Sequence, residues 1–382
     1  ERRDAYDSLS VPVYNTLAYE FDNAAIMAEA FTDKIKAPDY SRVENPTVTN
    51  LERRVAALTD AAHATAFNSG MAAISNTLMA LAAQGKNIVT SKHLFGNTYA
   101  LLVATLRRFG VKVRLRDLTN IEAVREAIDD DTCCVFLEIL TNPQLEVADL
   151  KAISEVAHEK NVPLVVDSTV IPFTQFSAKS LGVDIEVVSS SKYVSGGATS
   201  LGGLVIDYGT PYNGDFAKRL YGEMLFNFGA YMTPQVAYMQ TIGLETLDAR
   251  YRVQSGNALK LAKKLRSLPQ IKYVNYVGLE DNPYHELAQR QFGKTAGAMI
   301  CIDLESKEAC FSFLNNLKLI HRATNLFDNR SLAIHPASTI FGAFSESMRK
   351  SMDVKDTTIR LSIGLEDVDD LFEDIKQAVD SL

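Results

Sequence analysis

Apolar residues recur at two spacings in this chain, and the alternation between them predicts its architecture. From about Leu51 to about Gly243, short apolar runs ("NIVTS", "VKVRL", "CVFLEI", "VPLVVD", "DIEVVSS", "GGLVIDY") alternate with stretches of helical spacing. The helical stretches pass through Leu51, Val55 and Leu58 of "NLERRVAALTDAAHA", and then through Met71, Ile74, Leu78 and Leu81. They continue through Leu101, Leu102 and Leu106, through Ile121, Val124 and Ile128, and from about Leu150 to Lys160. Runs that lack polar alternation suit strands buried on both faces, so the pattern predicts an α/β unit with a mostly parallel sheet between two helical layers. The residues up to about Asn50 carry Pro12, Pro38 and Pro46 and no clear period, which predicts an extended arm leaning on something else. Beyond Pro234 a long helical stretch leads into the runs "IKYVNYV", "AMICIDL" and "TIRLSIG", with helices near 306–316 and 366–381. Val368, Leu371, Phe372, Ile375 and Val379 line one face of the last helix. The expected divisions are an arm at 1–50, an α/β domain at 51–245 and a smaller α+β domain at 246–382.

Composition narrows the function more than the fold. A formal net charge of −8 speaks against a phosphate-backbone partner, because nucleic-acid binders concentrate positive charge. No stretch approaches the ~20 uninterrupted apolar residues of a membrane helix, and "ERRDAYDSLS" lacks the apolar core of a secretory signal. Of the four cysteines, Cys133 and Cys134 sit inside an apolar run, and none forms a CxxC or lies at ligand spacing from a histidine. The expectation is a cytoplasmic protein with reduced thiols, no metal, no membrane and no nucleic acid.

Open parallel sheets bind ligands beyond the carboxyl ends of their strands, so those exits are where chemistry is expected. In "FNSGMAAIS", Ser69 and Gly70 open a helix whose first N–H groups, at Gly70 and Met71, can receive an anion; Ser69 can equally serve as a simple helix cap. In "LVVDSTVIPF", Asp167 ends a buried strand, where a carboxylate needs a cation or a proton donor; a cap or a loop salt bridge would also account for it. In "VVSSSKYVSGGATSLGG", Lys192 follows Ser189, Ser190 and Ser191; it reads either as a solvated surface amine or as an imine-forming nucleophile with a lowered pKa. Neither GxGxxG nor GxxxxGK[ST] occurs at these exits. Taken together, a lysine, a carboxylate 192 − 167 = 25 residues before it and a set of anion donors are what pyridoxal 5'-phosphate requires: an amine for its aldehyde, an acid for its ring nitrogen, and donors for its phosphate.

On these residues the chain resembles the Cys/Met-metabolism pyridoxal-phosphate enzymes, the fold-type-I group of cystathionine γ-synthase, methionine γ-lyase and O-acetylhomoserine sulfhydrylase. The likeness runs from "YSRVENPT" at 40–47 to "RLSIGLED" at 360–367. It implies a large cofactor domain around a mostly parallel seven-stranded sheet, a smaller C-terminal α+β domain, and an arm placing Tyr40 and Arg42 on the cofactor phosphate of a neighbouring subunit. A homo-oligomer, as a tetramer built from two dimers, is implied with it. The resemblance gives Ser69, Gly70, Met71, Ser189 and Ser191 to the phosphate and leaves Ser190 without a role. It puts Phe95 on the pyridine ring, where many relatives carry tyrosine, Asn142 near the ring hydroxyl beside the family glutamate Glu138, and Asp167 on the ring nitrogen. Lys192 matches the lysine that carries the cofactor, and Asn325 and Arg360 match the clamp for a substrate α-carboxylate. A planar guanidinium suits that task, since it reads a carboxylate bidentately. His335, in "AIHPAS", is expected to be structural.

Within the group, "FGNTYALL", "SGGATSLGG" and "NLFDNRSLAIHPAS" look most like O-acetylhomoserine sulfhydrylases, and Asn97 stands where methionine γ-lyases often carry cysteine. The resemblance therefore implies γ-replacement of acetate by sulfide, giving homocysteine in methionine biosynthesis, with a methionine γ-lyase or cystathionine γ-synthase as alternatives. The sulfur donor is left open between free sulfide, a small thiol and a sulfur-carrier protein. A reading from another class is a catalytically silent relative that keeps the fold as a binding partner.

Overall fold

A computed structural model of the chain describes residues 6–32, 34–294 and 296–382. The first five residues and Asp33 of the expected arm lie outside them. Seven strands form the larger sheet: β1 (His63–Phe67), β2 (Asn87–Thr90), β3 (Lys112–Leu115), β4 (Thr132–Glu138), β5 (Leu164–Asp167), β6 (Ile185–Val188) and β7 (Gly203–Asp207). Their order is β1-β7-β6-β5-β4-β2-β3, and only β7 runs antiparallel to its neighbours. The Val- and Ile-rich central strands β4, β5 and β6 are buried on both faces, as continuous apolar runs require. Because β7 opposes β6 in direction, the chain returns directly through residues 189–202 without a helical crossover. That return segment is the one that carries Lys192.

The second sheet has five strands, β8 (Tyr273–Asn275), β9 (Met299–Asp303), β10 (His321–Arg322), β11 (Leu332–Ile334) and β12 (Thr358–Ser362), in the order β10-β11-β12-β9-β8. The helix Val368–Val379 packs against the helices Leu247–Leu265 and Lys307–Asn316, burying Leu371, Ile375 and Val379. Among the described residues no helix is long and apolar enough to cross a membrane.

Three local features depart from the sequence expectation. The arm contains the helix Ala24–Phe31, capped by Asn23, whose side chain accepts from Ala25 and Ile26. The next helix starts at Pro46 behind the Asn45 cap, because proline favours the first helical turn. Strands β10 and β11 are two and three residues long, too short to show any period.

Close backbone packing ties the sheet to the start of the helix Gly70–Leu81. A side chain on Gly203 would bring its Cβ 2.1 Å from the Ser69 carbonyl oxygen, a backbone atom with no freedom to move aside. By contrast, Gly256 in the helix Leu247–Leu265 faces open space. Gly203→Ala is therefore expected to destabilise the protein by about 2–3 kcal/mol, and Gly256→Ala to stabilise it by about 0.5–1 kcal/mol. Denaturant midpoints of the two variants check both signs.

Candidate active site

Parallel register brings three strand ends side by side: Glu138 at the end of β4 pairs with Asp167 at the end of β5, and Asp167 pairs with Val187 on β6. Beyond β6 the chain tightens into a turn in which Lys192 N donates to the Ser189 carbonyl at 3.1 Å. Ser191 closes its far side, its hydroxyl donating to the Gly202 carbonyl at 3.1 Å and accepting from Gly202 N at 2.9 Å. Gly196 bends back at φ +78°, so close to Gly243 that an added Cβ would stand 2.9 Å from the Gly243 Cα. The glycines of "SGGATSLGG" thus serve close backbone approach.

Lys192 Nζ donates to Asn325 Oδ1 at 3.0 Å. Burial lowers the Lys192 pKa, the Arg360 charge lowers it further, and Asp167 acts against both. Burial raises Asp167 above the usual carboxylate value, and bonds from the Thr169 hydroxyl and N–H, the latter at 2.9 Å, and the Lys192 charge offset only part of that rise. Glu138 is driven well above the usual carboxylate range by burial and by repulsion from Asp167. The proton of this acidic pair therefore sits on Glu138, and Asp167 is the carboxylate that faces the lysine.

Arg360, on β12, is 2% exposed. Its Nη2 donates to the carbonyls of Thr324 and Asn325, each at 3.2 Å, and its Nη1 to Asn142 Oδ1 at 3.4 Å. Its Nε, also buried, has no partner. Burial brings its pKa down to about 10, which leaves it charged at neutral pH. Its hydrogen-bond partners among the described residues are all carbonyl oxygens, an arrangement that is completed by an anion.

Ser69 is the N-cap of the helix Gly70–Leu81, its hydroxyl accepting from Ala72 N at 3.1 Å. Gly70 lies against Ser189 so closely that a Cβ there would stand 2.6 Å from the Ser189 Cβ. The helix N-terminus, with Gly70 and Met71, and the half-buried Ser189 therefore converge. Ser190 faces the other way: its hydroxyl is buried without a partner. Phe95 is half-buried, and its backbone N–H donates to Glu138 Oε1. Asn97, two residues on, is exposed.

Tyr40 forms a bridge with Ala18, and Arg42 stacks over the Tyr40 ring and donates to the Phe226 carbonyl. His335 is buried, and its two nitrogens bond to Ser338 Oγ and the Asp356 carbonyl, each at 2.8 Å. Sequence reasoning missed Thr169. Its hydroxyl accepts from Ser189 N at 2.8 Å while its N–H serves Asp167, so one residue couples the carboxylate to the serine turn. The available signal was the Asp-Ser-Thr turn directly after a strand exit.

A large, mostly parallel sheet with a smaller second sheet, bringing a lysine, a carboxylate and a helix N-terminus to adjoining strand ends, defines a fold-type-I pyridoxal-phosphate enzyme. Comparison with known proteins gives the same class. The family described as "Cys/Met metabolism PLP-dependent enzyme" matches residues 1–380, and the chain belongs to it. It is 37% identical over 384 residues to an L-methionine gamma-lyase of Fusobacterium nucleatum subsp. polymorphum, covering 100% of this chain and 95% of that one. A putative O-acetylhomoserine (thiol)-lyase of Campylobacter jejuni, solved with N'-pyridoxyl-lysine-5'-monophosphate, superposes with a TM-score of 0.95 at 35% identity, covering 100% and 97% of the two chains. The O-acetylhomoserine sulfhydrylase of Wolinella succinogenes is 43% identical with a TM-score of 0.79, covering 88% of this chain and 96% of that one.

The position of the proton carries a test. A carboxyl whose pKa is raised on folding contributes stability that is fully present below its unfolded value, about 4.3, and lost as pH rises through the folded value. Glu138→Gln should therefore be at least as stable as the parent at neutral pH, with an advantage that widens as pH rises above about 5. Thermal melts from about pH 5 upward check it, and a gap that stays constant with pH would show that Glu138 is ionised.

Proposed function

We propose that this protein replaces the acetate of O-acetyl-L-homoserine by sulfide or another sulfur donor, giving L-homocysteine. The observation that carries an amino-acid substrate is Arg360, a buried guanidinium lined by carbonyls with an unpartnered Nε. A substrate α-carboxylate supplies the missing anion.

The donor set fits pyridoxal 5'-phosphate: Lys192 for the aldehyde, Asp167 for the ring nitrogen, and Gly70, Met71 and Ser189 for the phosphate, with Ser69 shaping the helix start and Ser191 the turn. Phe95 would stack on the ring and Asn142 would lie beside its hydroxyl. When bound, the cofactor supplies an electron sink for the substrate's α-carbon. Tyr40 and Arg42 would act on the phosphate of a neighbouring subunit in a homo-oligomer.

The remaining work falls to the chain's own groups. Lys192, its pKa lowered by burial, serves as the base that takes the proton from the α-carbon and then moves a proton at the β-carbon, which lets the γ-substituent leave. Asn325 holds the amine in place before the substrate arrives. Arg360 fixes the carboxylate and so orients the bond to be broken. Asp167, beside the Lys192 charge, is the member of the acidic pair placed to accept from a protonated ring nitrogen.

The choice of γ-replacement rests on the likeness of "FGNTYALL", "SGGATSLGG" and "NLFDNRSLAIHPAS" to O-acetylhomoserine sulfhydrylases and on Asn97 in place of a thiol. The 37% identity to a methionine γ-lyase favours γ-elimination from methionine as the second reading. The purified protein should release acetate from O-acetylhomoserine in a sulfide-dependent reaction, faster than it turns over the O-succinyl and O-phospho esters. Keto acid formed from methionine without added thiol, at a higher rate than ester turnover, would assign the lyase instead. No turnover of any of these by cofactor-loaded protein would support a silent relative.

A further inference from the structure

His93 is buried, and each of its ring nitrogens meets a carboxylate. Nδ1 bonds to Glu146, in the loop after β4, and Nε2 to Asp353 Oδ2 at 2.7 Å, in the segment that follows the helix Glu346–Ser351. Ionised carboxylates only accept hydrogen bonds, so a neutral imidazole can satisfy one of them while its bare nitrogen faces the other's lone pairs. Both contacts form together only in the imidazolium. The backbone is bent to present these groups: Leu145, next to Glu146, and Asp353 itself adopt left-handed conformations, at φ +59° and +54°.

The elements joined here are distinct. His93 belongs to the turn that carries Phe95, whereas Asp353 belongs to the 336–354 segment. That segment has its own small apolar cluster of Ala337, Phe341, Met352 and Val354, packed on Tyr99 and separate from the main cores. Its Ile340 carbonyl and Phe344 ring press on Gly96, where an added Cβ would come within 2.9 and 3.1 Å of them. An uncharged contact, Gln144 Nε2 to the Met352 carbonyl at 2.6 Å, ties the segment to the loop after β4. Satellite clusters of this kind open at lower free energy than a main core.

We propose that residues 336–354 form a cap over the Phe95 turn, and that His93 is the proton-controlled latch that fastens it. With His93 protonated, the turn, the loop after β4 and the cap are clamped together. With His93 neutral, one contact is lost; Gln144 and the Lys92–Asp353 pair keep the cap hinged while its hold on the turn loosens.

The other charged groups facing the ring are few. Lys92 Nζ reaches the same Asp353 oxygen at 2.7 Å and opposes protonation. Tyr284 bonds to Glu146 from the far side. Glu138 lines, with His93 and Glu146, a cavity of about 20 Å³. Burial disfavours the imidazolium, but the bonds to Glu146 and Asp353 outweigh it, and His93 is raised above 6.5. The latch is therefore closed below 6.5 and opens as pH rises through the higher folded value. The proposal stands whether the site takes a homoserine ester or methionine.

The chain contains no tryptophan, so Phe344→Trp places a single fluorophore in the cap against Tyr99, whose ring centroid is 6.0 Å from that of Phe344. Titrated from about pH 6 to about pH 9, the full-length protein should show one emission transition with its midpoint above 6.5. His93→Gln in the same background should abolish it, and Asp353→Asn, a change at a half-exposed side chain, should lower the midpoint by about 0.5–1 pH unit. His335, which bonds to Ser338 of the cap, is lowered below 6.5 by burial, so its titration lies below the expected midpoint. A transition that survives His93→Gln, a flat emission in the Phe344→Trp protein, or a midpoint unmoved by Asp353→Asn would overturn the proposal. Should His93→Gln fail to fold, the Asp353→Asn midpoint decides.

Discussion

Two cations, Lys192 and Arg360, are held in one buried space, and Asn325 stands between them. Its side chain accepts from the lysine at 3.0 Å, while its backbone carbonyl accepts from the guanidinium at 3.2 Å. Like charges removed from water disfavour each other, and the direct consequence is a lysine pKa pulled down toward that of a usable base. Asp167 limits this effect from the other side. Most of the architecture near the site can be understood as what keeps these three charges in place.

The sheet topology supplies the placement. Three parallel strands end at one level, which puts Glu138 beside Asp167 and both below the Lys192 turn. The antiparallel β7 lets the chain turn back at once, so the lysine rides on a short loop braced by Ser191, Gly202 and Gly196 instead of a long crossover. The acidic pair keeps one proton on Glu138, whose carboxyl also receives the backbone N–H of Phe95. Membership of the Cys/Met metabolism PLP-dependent family accords with that arrangement of charges.

Much of this was legible in the sequence because the relevant signals are local. Asp167 and Lys192 follow apolar runs whose ends are easy to see, and Ser69 and Gly70 open a helix with strong periodicity. Ser69 proved to be the helix cap that its type and position allow, and His335 the hydrogen-bonded structural residue. What stayed hidden depends on contacts between segments far apart in the chain. Thr169 looks like any turn threonine until Ser189 is brought to its hydroxyl. His93 carries no motif, since its two carboxylates lie 53 and 260 positions away. The arm helix Ala24–Phe31 and the short strands β10 and β11 were missed for a plainer reason: so few residues cannot display a period.

The central claim is that Lys192 is the amine that holds the cofactor. The direct measurement is borohydride reduction of the pyridoxal-phosphate-loaded protein, followed by peptide mass analysis. The account predicts a single pyridoxyl adduct on the peptide containing Lys192, lost together with the yellow colour in Lys192→Ala. An adduct on a different lysine, or a Lys192→Ala protein that keeps the absorption band, would contradict it.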